Sequence, residues 1–140
     1  MPRFHQGYFT PTNPHKYKGK GKIMLRSSWE FTVANFFDSN ENILEWNSEG
    51  LRIPYMHPFK NKRSNYVPDF MIKYKDATGK IVVEVIEVKP KNQSVLKEGM
   101  SNKAKETVII NLAKWDAAKR FCDANNVGFR VMTEDQIYRQ

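Results

Sequence analysis

Two segments decide the reading: Tyr66-Val67-Pro68-Asp69-Phe70 and Ile81-Val82-Val83-Glu84-Val85-Ile86-Glu87-Val88-Lys89. Both are runs of apolar, β-branched or aromatic residues. Asp76 and Gly79 mark a turn between them and Pro90 closes the second, so they predict a hairpin of strands at 67–75 and 80–89. The second run is apolar on both faces over most of its length, as a central strand is. Its end breaks that pattern. Glu87 and Lys89 stand two residues apart and project from one face, with Val88 on the other. Burying an acid and a base there costs free energy unless they have a partner or a task. Pro68 lacks an N–H and suits the start of a strand, and it holds Val67 extended. Asp69 then enters as the first polar side chain of an otherwise apolar strand. A hairpin brings Asp69 and Glu87 together at one end. Two carboxylates that close repel unless a proton or a cation intervenes, and a cation with oxygen ligands, Mg²⁺ or Mn²⁺, suits them. Lys89 is placed to stabilise charge developing on a phosphate, or to orient an attacking water. Each half alone has an ordinary reading, as a Pro-Asp turn or as an exposed salt bridge on one strand face. The combination is what favours a site. Glu84 lies at an odd offset from Glu87, so it points to the opposite face and stays out of it.

Outward from this pair, residues 1–22 are rich in Pro, Gly, Lys and aromatics and predict an irregular basic arm. Lys16, Lys18, Lys20 and Lys22 suit phosphate contacts; equally, Phe4, Tyr8, Phe9 and Tyr17 suit tacking the arm onto the domain. A helix is expected at 27–39, with Ser27 and Glu30 as a capping box and Trp29, Val33, Phe36 and Phe37 as its buried face. Strands are expected at 43–47 and 51–55, the second pushed to a sheet edge by Pro54. A basic loop over 56–65 follows, with Lys60, Lys62 and Arg63 as phosphate contacts; His57 is given no catalytic role. Residues 90–106 read as a mobile polar loop, placed to close over bound DNA, that carries Lys91 as a DNA contact. The clearest helix is 107–124, with Val108, Leu112, Trp115, Ala118 and Cys122 as its stripe. Asn111 and Lys114 flank that stripe as DNA contacts. Asn125-Asn126-Val127-Gly128 stops it, a strand at 129–132 follows, and Thr133 caps a short helix at 134–139.

At 140 residues the chain holds one domain, taken as 23–140 behind the arm. A net charge of +8 argues for an anionic partner, nucleic acid first. A single cysteine, Cys122, excludes an internal disulfide framework and a Cys/His zinc cluster. No signal-like or long apolar run is present, which points away from membranes and towards a cytoplasmic setting. The order of elements gives an α/β sandwich: a central mixed β-sheet, with the motif strands in the middle, flanked by helices.

Pro68-Asp69 with Glu87-Val88-Lys89 resembles the PD-(D/E)xK nuclease superfamily. From Asn13-Pro14-His15-Lys16-Tyr17 to Thr133-Glu134-Asp135 the chain looks like the small head-completion nucleases of T-even-type phages. It is also similar to the endonuclease subunit of certain cut-and-paste transposons. The resemblance implies a restriction-endonuclease-like fold and an Mg²⁺-dependent DNA endonuclease, Mn²⁺ substituting, that leaves a 5′-phosphate. It implies catalytic Asp69, Glu87 and Lys89, and an acid on the first helix, Glu30, joining Asp69 and Glu87 at the metal. Glu30 thus carries two readings, cap and ligand. Asn111 and Trp115 stand where some of these nucleases carry Gln-x-x-x-Tyr, and depart from it at both positions. The implied role is trimming packaged phage DNA during head completion, in the host cytoplasm or the virion, beside head or neck proteins. The competing expectations are a non-catalytic DNA-binding head–neck protein on the same fold, and a transposase or repair endonuclease subunit.

Overall fold

A computed structural model describes residues 7–137. Along the chain lie β1 (Gly7–Phe9), β2 (Ile23–Leu25), α1 (Ser28–Ser39), β3 (Ile43–Ser48), β4 (Ile53–His57), β5 (Lys62–Tyr66), β6 (Phe70–Lys75), β7 (Ile81–Val88), α2 (Asn102–Ala124), β8 (Gly128–Met132) and α3 (Glu134–Ile137). Single 3₁₀ turns occur at Pro14–Lys16 and Lys91–Gln93. Residues 1–6 of the expected arm and 138–139 of the expected last helix lie outside the described residues.

The expected hairpin forms. Asp76 and Gly79 (φ +84°) make its turn, and β6 and β7 pair antiparallel from Phe70↔Ile86 to Lys75↔Ile81. The central sheet has the order β3-β6-β7-β8. It is mixed, because β8 returns beside β7 in parallel after the α2 crossover. As a central strand β7 is covered on both faces. Ile86 and Val88 face α1 in a core with Trp29, Val33, Phe37, Trp46 and Phe70. Tyr66, Trp115 and Ala118 pack under the other face with Ile53 and Tyr55. Alternation along the strand puts Glu87 on that second side.

Four expectations are corrected. First, the described part of the arm is not a separate irregular segment. β1 pairs with β2 across the expected boundary at 22, and Phe9 joins the core edge-on to Trp46 at 5.6 Å. Second, the 56–65 stretch is half strand: β5 pairs with β4, Pro54 opposite Asn65. These two strands form their own sheet apart from the central one, so Pro54 costs no central ladder bond. Third, α2 starts at Asn102 rather than 107, capped by Ser101 Oγ, which accepts from the Ala104 N–H at 3.1 Å. Its first turns are polar and solvated, so no apolar period announces them. Fourth, Leu112 is exposed and Asn111 takes the buried place beside Val108 and Trp115. Among the described residues no helix is long and apolar enough to cross a membrane.

Candidate active site

The strand register brings the motif residues together. Phe70 lies opposite Ile86, so Asp69, one residue earlier, meets Glu87, one residue later. The two carboxylates interlock through the backbone. The Asp69 N–H donates to Glu87 Oε1 at 3.2 Å and the Val88 N–H donates to Asp69 Oδ2 at 2.8 Å. The Asp69 carbonyl in turn accepts from the Glu49 N–H at 3.0 Å, which fixes the chain where β6 begins. Glu87 is buried. Burial first, and the charge of Glu87 second, push the Asp69 carboxyl well above the usual carboxylate range. Burial also raises Glu87; Lys89, then Asp69 and Tyr66, hold that rise back. Two acids raised by burial, one of them also by the other's charge, want a proton or a cation between them.

Around the pair stand residues from three other elements. Glu30, in the first turn of α1, is buried and accepts from Ser27 Oγ at 3.2 Å, while its own N–H donates to Ser27 Oγ at 3.2 Å. Its carboxyl is pushed up to about 7, by burial first and by the charge of Asp69 second. Both readings of Glu30 therefore have substance: it caps the helix and it feels the site. Lys114 comes from α2, its ammonium 5.8 Å from the centre of the Tyr66 ring. Burial, then the charge of Lys89, lower its pKa, while Glu87 and Asp69 oppose. Tyr66 faces Glu87 and Trp115 faces Tyr66. The Tyr66 hydroxyl and the Trp115 indole N–H are buried without a well-formed hydrogen bond.

The donor set is hard and anionic, which fits a small divalent cation rather than zinc or copper. Among the described residues no three His, Cys, Asp or Glu side chains are grouped to hold a metal ion. Asp69 and Glu87 could supply two oxygen donors, while Glu30, tied to Ser27, feels the Asp69 charge. Glu84 lies on the other face as expected, 3.3 Å from Arg130.

Three expected DNA contacts have partners within the fold. Lys16 is buried, and its ammonium donates to the carbonyls of Asp38 at 2.9 Å and Asn40 at 2.8 Å. It closes the C-terminal end of α1, where the helix dipole favours a cation. Asn111 is buried and donates to the Gln93 carbonyl at 3.0 Å, tying the turn after β7 to α2. Lys91 is paired with Asp135 at 3.2 Å. Lys18, Lys20, Lys22, Lys60, Lys62 and Arg63 are exposed, with Lys22 5.1 Å from the centre of the Tyr8 ring. Sequence reasoning missed Tyr66 and Glu49 as neighbours of the site. Tyr66 was legible as an aromatic three residues before Asp69; Glu49 had no signal, since it reaches the site by chain reversal after β3.

Comparison with known proteins bears on this geometry. A family model described as TnsA-like endonuclease N terminal matches residues 40–134, a span that includes Asp69, Glu87, Lys89 and Lys114 and leaves out α1. The chain is similar to the head completion nuclease of Enterobacteria phage T4, with 32% identity over 144 residues, covering 95% of this chain and 93% of that protein.

Proposed function

This chain belongs to the family of TnsA-like endonuclease N-terminal domains, and from that premise we propose that it is a metal-dependent DNA endonuclease of phage head completion. The observation that carries the site is the interlocked Asp69–Glu87 pair, with Lys89 two residues on from Glu87. Asp69 and Glu87 would hold Mg²⁺, with Mn²⁺ as substitute, and Glu30 would complete the acid set once released by Ser27. A divalent cation supplies Lewis acidity towards a phosphate oxygen and makes water a stronger acid. The remaining work belongs to side chains. Lys89 carries its ammonium to the scissile phosphate, where it stabilises the charge that builds on the non-bridging oxygens. Lys114 holds the same or the adjoining phosphate from the α2 side, where its ammonium lies over the Tyr66 ring. Water attacks phosphorus in line, the P–O3′ bond breaks, and the products carry a 5′-phosphate and a 3′-hydroxyl. The exposed lysines and Arg63 bind DNA through its phosphates without reading sequence. In head completion the substrate is packaged phage DNA, and head or neck proteins are the partners.

The test is plasmid cleavage in Mg²⁺ against EDTA, with Asp69→Asn, Lys89→Ala and Glu30→Gln beside the wild type. Nicking or linearisation is expected from wild type with metal, and none from Asp69→Asn or Lys89→Ala. Variants that cut as fast as wild type would sink the site assignment. A wild type that binds DNA and never cuts would sink the enzymatic reading.

A further inference from the structure

The β4–β5 hairpin is the feature that the cleavage chemistry leaves unused. It pairs with no strand of the central sheet. One side rests on α2 through Ile53, Tyr55 and Tyr66, and its tip is built to display a ring. Phe59 is 52% exposed and Met56, on the outward face opposite Arg63, is 57% exposed. The tip is held by specific bonds. His57 Nδ1 accepts from the N–H groups of Phe59 and Lys60, both at 3.2 Å. The Asn61 N–H closes on the His57 carbonyl at 3.0 Å, with Asn61 in the left-handed region at φ +46°. The His57 ring stands edge-on to Phe59 at 6.3 Å. An aromatic ring braced in water by a histidine is preorganised to meet something flat. Its surroundings say what: Arg52, Lys60, Lys62 and Arg63 are exposed, and no Asp or Glu occurs between Leu51 and Pro68. A hairpin that carries four cationic side chains and no acid of its own around one exposed ring complements phosphates around a base.

The placement is also informative. β5 ends at Tyr66, beside Glu87, and runs outward from there to Lys62. At a strand rise of about 3.3 Å the tip stands on the order of 15–20 Å from Asp69. That is about five base-pair steps at about 3.4 Å each. One ring does not return the cost of unstacking an intact duplex step. A base that is already unpaired offers its face freely.

We propose that the β4–β5 hairpin is a wedge that recognises a duplex–single-strand junction. Phe59 stacks on an unpaired base, and Lys60, Lys62 and Arg63 hold the adjoining phosphates. The substrate class is then DNA with a bubble, gap, fork or frayed end, cut about five nucleotides from the discontinuity. This deepens the endonuclease reading and rests on it for DNA as the substrate.

The test uses Asp69→Asn protein in EDTA, so that binding is read without cleavage. Affinity is measured by fluorescence anisotropy for a duplex of about 30 base pairs, and for the same duplex with a central mismatch bubble. The two carry equal numbers of phosphates. A 2-aminopurine in the bubble reports stacking. The bubble is expected to bind about tenfold tighter, with the 2-aminopurine quenched. Adding Phe59→Ala should bring the bubble to duplex affinity, and Phe59→Trp should restore the preference. Lys62→Ala should weaken both and flatten the salt slope by about one. Equal affinity in the starting protein overturns the wedge. So does a preference that survives Phe59→Ala, or a Phe59→Ala loss that is the same on both DNAs. Wild-type plasmid cleavage run in parallel separates the two readings. A bubble preference without cleavage removes the nuclease alone, and cleavage without a bubble preference removes the wedge alone.

Discussion

Glu30 caps α1, and its ionisation tests the second role proposed for it at the site. Its carboxyl holds a proton up to about pH 7 in the fold, against an ordinary value of 4.5. Between those values the native state binds more protons than the unfolded chain, so the metal-free protein loses stability as pH rises. The loss attributable to Glu30 is up to about 3 kcal/mol and is complete above pH 7. Glu30→Gln removes the charge, so in EDTA it should melt well above wild type at pH 8 and close to it at pH 4.5. Equal separation at both pH values would mean that the carboxyl is not raised. Lys16 is the opposite case, a lysine whose charge serves the fold. Lys16→Met leaves the Asp38 and Asn40 carbonyls without their donor, at a cost of about 2 kcal/mol in urea denaturation. Its DNA affinity should keep the wild-type salt slope. A slope smaller by about one would return Lys16 to the phosphate contacts.

At the scale of elements, α2 does more than cover the sheet. Its buried stripe of Val108, Trp115, Ala118 and Cys122 sets the rotation of the helix. That rotation then aims Lys114 at the Asp69–Glu87 pair and Asn111 at the turn after β7. Lys114→Ala is expected to lower kcat about 10- to 100-fold with an unchanged melting temperature, since the group feels Lys89, Glu87 and Asp69 and is not in the core. A change in KM alone would make it a binding residue only. Asn111→Ala should cost about 1–2 kcal/mol and speed amide exchange at 91–94, while DNA affinity stays the same. Weaker DNA binding at unchanged exchange would restore Asn111 to the interface. Helical period alone placed Asn111 and Leu112 one step wrong. A 100° step separates neighbours on the helix, and only the packing partner decides which of two adjacent residues is inside.

Across the whole molecule, burial disfavours the ionised forms of Glu30, Asp69 and Glu87, so a cation bound among them would stabilise the fold. Mg²⁺ or Mn²⁺ at about 100 times its Kd should stabilise the protein by about 2.7 kcal/mol. That is several degrees in Tm for a chain of this size. The gain should be larger at pH 8 than at pH 5, because Glu30, Asp69 and Glu87 all titrate upward of the usual range. An Asp69→Asn protein that gains as much as wild type would place the cation elsewhere.

The motif hairpin, α1 with its cap and the basic surface were legible in the sequence, because each rests on local rules: the period of two, a turn at Asp76 and Gly79, a capping serine, a count of charges. So was the meeting of Asp69 and Glu87, since a hairpin of known turn has only one register that buries both apolar runs. Tertiary structure alone decided what the lysines and Asn111 do. Lys16, Lys18 and Lys114 are the same residue type in similarly basic stretches, yet one closes a helix end, one is solvated and one faces the site. Burial and the dipole or charge that each ammonium meets make that difference, and those depend on contacts between segments far apart in the chain. The folding of β1 onto β2 and the separation of β4–β5 from the central sheet were hidden for the same reason. Their strands are short, and what holds them is Phe9 on Trp46 and Tyr55 beside Trp115, contacts that no local pattern contains.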